Sequence, residues 1–318
     1  MVTRSTSNAK DLSALRPSAS LVVVNASNEV LLVHRNPKAT SFAGMHVFPG
    51  GNYDEKQDES YRMTAIRETF EETGLLLASP ATSDPEVSPP PSEAALDASR
   101  KSIHTGRTLF RDFLRQHALS ADVEALLPFT EWITPLGIPR RFHTRFYVAF
   151  LPPFRASGFS SSSSGATQTQ HCLPTPTPDG GHEGQEVVEA RFVHPLEALA
   201  EHRAKQIALM PPQHYILTTL ADLLVGREAS PYQRERVERL SAGAFGRMVF
   251  CPQAGGKKRD ADGRVELVFE GDEARGGPRG RLHRSLVLFN AQLPTEVELL
   301  RNFDIFTEVE VGAVGSKL

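Results

Sequence analysis

The sequence predicts an α+β fold with a long insertion and a small β-rich appendage at its C-terminal end. Three observations predict it. Two β-branched-rich apolar runs, at 19–24 and 29–35, flank Asn25-Ala26-Ser27-Asn28 and read as a hairpin. A helical period follows, with Met63, Ile66 and Phe70 on one side and Gly74 placed to end it. After about residue 228, short strand candidates at Met248–Cys251, Val265–Phe269 and Leu286–Phe289 alternate with Gly- and charge-rich turns.

Between these landmarks the elements can be taken in order. Val47-Phe48 enters a tight turn at Pro49-Gly50-Gly51, and the helix after it runs from about Ser60 to Thr73. Residues 79–93 are rich in Pro, Ser and Asp and are expected to be a mobile insertion. Leu109, Phe110, Phe113 and Leu114 mark another helix. Phe142 to Leu151 alternates as a strand, with Phe142, Phe146 and Val148 on one face and Arg141, His143 and Arg145 on the other. Residues 155–185 hold a Ser run and a Thr-Pro repeat, a composition too polar to pack, and are expected to be disordered. A return strand is read over Glu186 to Val193, then a helix from Pro195, and a last one carrying Ile216, Leu217, Leu220 and Leu224. The expected organisation is therefore a flexible start (1–14), a main domain (15–228), a β-rich extension (229–310) and a flexible tail (311–318).

Composition narrows the function classes. The 318 residues are 40% apolar and 23% charged, ordinary for a globular chain. Thirty-five Lys and Arg against 38 Asp and Glu leave a net charge of −3, which argues against a general nucleic-acid binder. No apolar run approaches the roughly 18 residues of a membrane span, and the first residues lack the apolar core of a secretory signal. Two cysteines, Cys172 and Cys251, make neither a disulfide framework nor a zinc site. The chain reads as intracellular. Its last residues, Ser316-Lys317-Leu318, match the tripeptide read by the peroxisomal import receptor, so delivery to the peroxisome is expected.

The chemistry concentrates in Glu59-x7-Arg67-Glu68-Thr69-Phe70-Glu71-Glu72-Thr73-Gly74-Leu75. On a helix, Glu68, Glu71 and Glu72 stand at i, i+3 and i+4 and share one face. Like charges repel at that spacing, and the end of a helix disfavours anions. A solvated acidic face would tolerate both penalties; a divalent cation would remove both. Magnesium suits carboxylate oxygens and leaves positions open for water and phosphate.

This segment resembles the box of the Nudix hydrolase family, G-x5-E-x7-R-E-U-x-E-E-x-G-U with U aliphatic. Glu59, Arg67, Glu68, Glu71, Glu72, Gly74 and Leu75 match in register, while Thr69 replaces an aliphatic residue. Tyr53 occupies the position of the leading glycine, and the glycine pair lies earlier, at Gly50-Gly51. The resemblance implies a Nudix fold, a mixed β-sheet sandwiched between helices. It also implies a hydrolase in which Glu68, Glu71 and Glu72 hold Mg²⁺ or Mn²⁺. Arg67 would orient a box glutamate, with Glu59 as its supporting acid, and Gly50 and Gly51 would shape the loop beside the metals. The general base would be a box glutamate such as Glu68 or Glu72, or one on a distant loop. Of Glu183, Glu186 and Glu189, Glu186 is preferred.

A narrower branch, the peroxisomal coenzyme A diphosphatases of the nineteenth Nudix type, is similar over roughly residues 15–225. The similarity rests on Ala43–Gly51, Glu131–Pro135, Arg140–Tyr147 and Leu209–Pro212. A coenzyme A signature of related enzymes is matched at Leu31, Leu32, Arg35, Gly44 and Phe48 to Gly51, but not at Val33, Asn36 or Thr40. The expected reaction is cleavage of coenzyme A or acyl-coenzyme A to 3′,5′-ADP and (acyl-)4′-phosphopantetheine. Arg35, Arg141 and Arg145, with His143, are candidates to bind the substrate phosphates. Trp132 stacks on a base or fills the core; Met210, Pro211 and Pro212 line a channel or start a helix. Two alternatives stand beside this one: a Nudix diphosphatase acting on NADH, ADP-ribose or capped RNA, and a non-catalytic Nudix ligand-binding module.

Overall fold

A computed structural model describes residues 14–39, 41–81, 91–152, 187–256, 260–290 and 293–306. The expectations for 1–13, for the cores of both insertions, for Cys172, Glu183 and Glu186, and for Ser316-Lys317-Leu318 lie outside the described residues.

The predicted hairpin is present as β1 (Arg16–Val24) and β2 (Val30–Arg35), followed by β3 (His46–Val47) and β4 (Gly50–Asn52). Helix α1 (Tyr61–Thr73) is capped by the Ser60 hydroxyl, which accepts from the Met63 N–H, and ends on Gly74 in the left-handed conformation. Next come β5 (Ala78–Pro80), α2 (Glu93–His104), α3 (Phe110–Gln116) and β6 (Leu119–Ala121). Strands β7 (Leu127–Ile133), β8 (Phe142–Phe150) and β9 (Val187–Val193) precede α4 (Pro195–Arg203) and α5 (Pro211–Ala221).

These strands form a mixed sheet in the order β10-β7-β8-β1-β2-β3, where β10 is Val249–Phe250, with β4 on β1 and β9 on β2. β1 runs parallel to β8 in register from Arg16↔Phe142 to Val24↔Phe150, whereas β2 is antiparallel to β3 and β9. Strand alternation splits the core in two. Ala19, Leu21 and Val23 point toward Ile66 and Phe70 of α1 and Phe110 and Phe113 of α3. Val22 and Val24 point toward Leu199, Ile216, Leu217 and Leu220 of α4 and α5. The sheet is thus sandwiched between helices, as the resemblance implied.

The described residues after 228 supply more than strands. Helix α6 (Pro231–Ala242) opens with a capping box between Ser230 and Gln233, and β10 extends the main sheet beside β7. β11 (Gln253–Ala254), β12 (Val265–Val268), β13 (His283–Asn290) and β14 (Leu293–Arg301) make an antiparallel four-stranded sheet. Val237, Leu240, Phe245, Phe250, Phe269 and Ile305 join the α5 core, and the Tyr215 hydroxyl lies 2.8 Å from His283 Nε2. Trp132 is part of that core, stacked on Phe250 with ring centroids 4.4 Å apart, so it is a packing residue. Met210 and Pro211 start α5. Among the described residues no helix is long and apolar enough to cross a membrane.

Candidate active site

The site is built where the Pro49-Gly50-Gly51 turn meets the last turns of α1. The turn is sewn to the central strand: the Leu21 N–H and the Ser20 hydroxyl both donate to the Pro49 carbonyl, each at 2.9 Å. A Cβ on Gly50 would lie 2.4 Å from the Ala19 carbonyl oxygen, so only glycine lets β4 come this close to β1. On Gly51 a Cβ would lie 2.4 Å from the Glu68 carboxyl carbon; the space a side chain would fill is where the Glu68 carboxylate sits.

Helix α1 presents the acids because its opposite side is committed to the core. Ala65, Ile66 and Phe70 are buried, which turns Glu68, Glu71 and Glu72 toward the turn. Thr69, at a position usually aliphatic, is buried without an unsatisfied hydroxyl, because its Oγ1 donates to the Ala65 carbonyl at 2.7 Å.

Arg67 organises the cluster. Its Nη1 donates to Glu68 Oε1 and to Glu71 Oε1, each at 2.9 Å, and its Nη2 donates to the Asn52 carbonyl at 3.0 Å. Nε and Nη2 each reach the Asp58 carboxylate at 2.8 Å. The supporting acid is therefore Asp58, which is fully buried, and not Glu59, which is exposed. The 54–58 turn places Asp58 inward, where its carboxylate also accepts from the Thr64 hydroxyl at 2.9 Å. Burial works to lower the Arg67 pKa, but the hydrogen bonds to Asp58 and the charge of Glu68 raise it above the ordinary arginine range.

Glu72 is held from two sides: Arg35 Nη1 donates to Oε1 at 3.2 Å and the Gly50 N–H donates to Oε2 at 3.1 Å. Arg35 is buried, and its Nε donates to the Ser41 carbonyl at 3.1 Å. Its guanidinium, expected on a substrate phosphate, is thus turned inward onto an acid of the cluster. Glu71 is gripped by a helix the sequence reading did not find. Arg100 of α2 donates to the Glu71 carbonyl at 3.0 Å, and His104 Nδ1 lies 3.6 Å from Glu71 Oε2. Burial pushes the Glu71 carboxyl up, but His104 and Arg67 outweigh it and leave its pKa below the usual value. The signal for α2 was present: Leu96 and Ile103 stand seven residues apart behind Ser92, which caps the helix through its hydroxyl.

The other phosphate candidates lie on the α1 side of β8 and are already paired. His143 Nε2 is 2.6 Å and Arg145 Nε 3.4 Å from the Glu131 carboxylate, and the Arg145 guanidinium lies 3.8 Å over the Tyr61 ring. Arg141 Nε donates to the Thr134 carbonyl at 3.1 Å. Glu189 stands opposite His34 in the register of β9 on β2.

Among the described residues, no group of three or more Asp, Glu, His or Cys side chains is drawn together as a metal cage; Arg67 stands between Glu68 and Glu71. The donor set nevertheless fits a hard divalent ion. It consists of carboxylate oxygens, and the loop facing Glu68 is bare at Gly51.

Comparison with known proteins decides the family. The profile described as the NUDT19 Nudix domain matches residues 56–220, just over half of the chain. The chain belongs to the Nudix hydrolase family. Among curated Nudix relatives, "Acyl-coenzyme A diphosphatase NUDT19" of Homo sapiens is 32% identical over 173 residues, 52% of this chain and 40% of that protein. The Gallus gallus protein of the same name is 29% identical over 51% of this chain and 41% of its own length. "Putative nudix hydrolase 7" of Caenorhabditis elegans is 27% identical over 67% of this chain and 63% of its own. The chain thus spans about two fifths to two thirds of the length of these relatives. A Nudix hydrolase structure from Alicyclobacillus acidocaldarius superimposes with a TM-score of 0.51 at 20% identity, covering 70% of this chain and 97% of that one. That likeness shows the shared fold.

Proposed function

We propose that this Nudix protein is a metal-dependent diphosphatase that cleaves coenzyme A or acyl-coenzyme A into 3′,5′-ADP and (acyl-)4′-phosphopantetheine. The observation that carries the reading is the lodging of Glu68 against the bare Gly51 turn, with Glu71 and Glu72 beside it on α1. The choice of coenzyme A is supported by the names of the human and chicken relatives. Delivery to the peroxisome through Ser316-Lys317-Leu318 belongs to the same proposal.

Glu68, Glu71 and Glu72 would hold Mg²⁺ or Mn²⁺. When bound, the ion lowers the pKa of a water and neutralises phosphate oxygens. The chain's own residues prepare that task. Arg67 fixes the carboxylates of Glu68 and Glu71 through one nitrogen, and Asp58 locks Arg67 in turn. Arg35 and the Gly50 N–H fix both oxygens of Glu72. The attacking water must give a proton to a carboxylate within hydrogen-bond reach. Glu68 is the most solvent-accessible of the three acids and suits that role; Glu186, one residue before β9, is the distant candidate. Arg141 and Arg145 would bind the 3′-phosphate, with Arg145 exchanging its Glu131 contact for the ligand.

The test is a panel of coenzyme A, acyl-coenzyme A, NADH, ADP-ribose and capped RNA, assayed with Mg²⁺ and with product identification. Release of 3′,5′-ADP from coenzyme A at the highest kcat/KM is expected. Preferential cleavage of NADH overturns the substrate, and no cleavage of any member overturns the reaction.

A further inference from the structure

Beside the acid cluster lies an apolar ledge with no part in the steps above. Phe42 is 40% exposed, Leu136 67% and Ile138 48%, although each is the kind of side chain that burial rewards. The Phe42 ring packs on Phe142, the first residue of β8, at 5.7 Å between centroids. Phe42 also has φ +53°, a conformation that is uncommon for a bulky aromatic residue and costs energy to hold. The surrounding contacts hold it. The Phe42 carbonyl accepts from the Met45 N–H at 3.1 Å, and Arg140 Nη1 donates to the Ser41 hydroxyl at 3.2 Å. This second bond joins the 41–44 loop to the 134–141 loop.

The 41–44 loop is tied to the acids through Ser41. The same Ser41 whose hydroxyl takes Arg140 gives its carbonyl to Arg35, and Arg35 holds Glu72. One guanidinium therefore separates the ledge from the carboxylates proposed to hold the metal. Phe42 is the next residue along the chain from the one whose carbonyl ties Arg35 to the cluster.

We propose that this ledge is the subsite for the pantetheine arm of the substrate, an inference that rests on the coenzyme A reading above. The arm begins beside the diphosphate with a quaternary carbon bearing two methyl groups, which suits Phe42 and Leu136. The adenosine half carries a phosphate and a base edge rich in hydrogen-bonding groups. Its needs match the other face of β8, where His143 and Arg145 lie. Phe42, Leu136 and Ile138 provide no such groups. Specificity for coenzyme A over dinucleotides that lack the arm would thus come from the ledge.

The experiment measures equilibrium binding of 4′-phosphopantetheine and of 3′,5′-ADP, in the presence of Mg²⁺, to the full chain and to Phe42→Asn and Leu136→Ser. Neither probe contains a diphosphate bond, so binding is read apart from turnover. Asn tolerates the Phe42 conformation, and Leu136 is exposed, so both variants keep the fold. Loss of half-buried apolar contact predicts about three- to tenfold weaker binding of 4′-phosphopantetheine for each variant, with 3′,5′-ADP unchanged. Equal affinity of wild type and variants for 4′-phosphopantetheine overturns the ledge. Weakening of 3′,5′-ADP instead assigns the ledge to the adenosine half and also overturns it. A wild type that binds 4′-phosphopantetheine through the ledge but hydrolyses no coenzyme A refutes the proposed reaction and leaves the ledge standing.

Discussion

Asp58 grips Arg67 with both carboxylate oxygens, at 2.8 Å each, and neither side chain has appreciable contact with solvent. Removing one partner of such a pair strands the other charge in the interior, which costs about 3–5 kcal/mol. Asp58→Ala is therefore expected to lower unfolding free energy by roughly that amount. Glu59→Gln, at the exposed neighbouring position, should stay within about 0.5 kcal/mol of wild type. Chemical denaturation of both variants checks the assignment, and the reverse order would restore Glu59 as the supporting acid.

The two glycines of the turn should fail in different ways. A Cβ on Gly50 meets backbone, the Ala19 carbonyl at 2.4 Å and Ser20 Cα at 2.7 Å, so the strands themselves must shift. Gly50→Ala is expected to lose about 1–3 kcal/mol of stability. A Cβ on Gly51 meets only the end of the Glu68 side chain, which can swing away. Gly51→Ala should keep a near wild-type melting temperature while kcat falls by about 100-fold, the scale of losing one preorganised group. Melting curves and steady-state kinetics on the pair separate the two effects.

The same comparison shows what the sequence could carry. Helix α1, its start near Ser60 and its stop at Gly74 were legible, because periodicity and helix-ending glycines are local signals. The register of Arg67, Glu68, Glu71 and Glu72 was legible for the same reason. Asp58 was not, since motif spacing points to Glu59 and only the path of the 54–58 turn buries its neighbour. There the Asp54 carbonyl accepts from the Asp58 N–H, and Asp58 Oδ2 accepts from the Asp54 N–H. Arg35 illustrates a further limit. A strand-ending arginine reads as a surface cation, and only the long-range contact between the end of β2 and the last turn of α1 turns it onto Glu72. The C-terminal strands were legible in part, but the joining of β10 to β7 is a long-range pairing that no local pattern announces.

Metal binding gives a prediction independent of turnover. An ion that binds only the folded state stabilises it by about 2.7 kcal/mol at a concentration one hundred times its Kd. Mg²⁺ or Mn²⁺ should therefore raise the melting temperature of the wild type, and EDTA should return it. Glu71→Gln and Glu72→Gln, which keep the shape of the side chain and remove its charge, should abolish most of that rise. Retention of the full rise by both variants would move the metal away from α1.

Acid should unlock the C-terminal sheet. His283 is buried between Tyr215 and the Glu270 carbonyl, which lies 2.6 Å from Nδ1; that carbonyl can only accept, so Nδ1 carries the proton and Nε2 accepts from Tyr215. Burial lowers its pKa from 6.5 to about 4, against the opposing pull of the Glu270 hydrogen bond. The unfolded chain thus binds this proton more readily than the folded one. Stability is unaffected above pH 6.5 and falls as pH drops from there toward about 4, by roughly 3 kcal/mol for this residue. Burial lowers His46 to about 3 and His214 to about 4, and both add to the same slope. Denaturation midpoints measured between pH 7 and 4.5 should decline, and His283→Asn should decline less steeply from a lower starting stability. An unchanged slope in that variant would mean that His283 takes up its proton in the folded state as easily as in the unfolded chain.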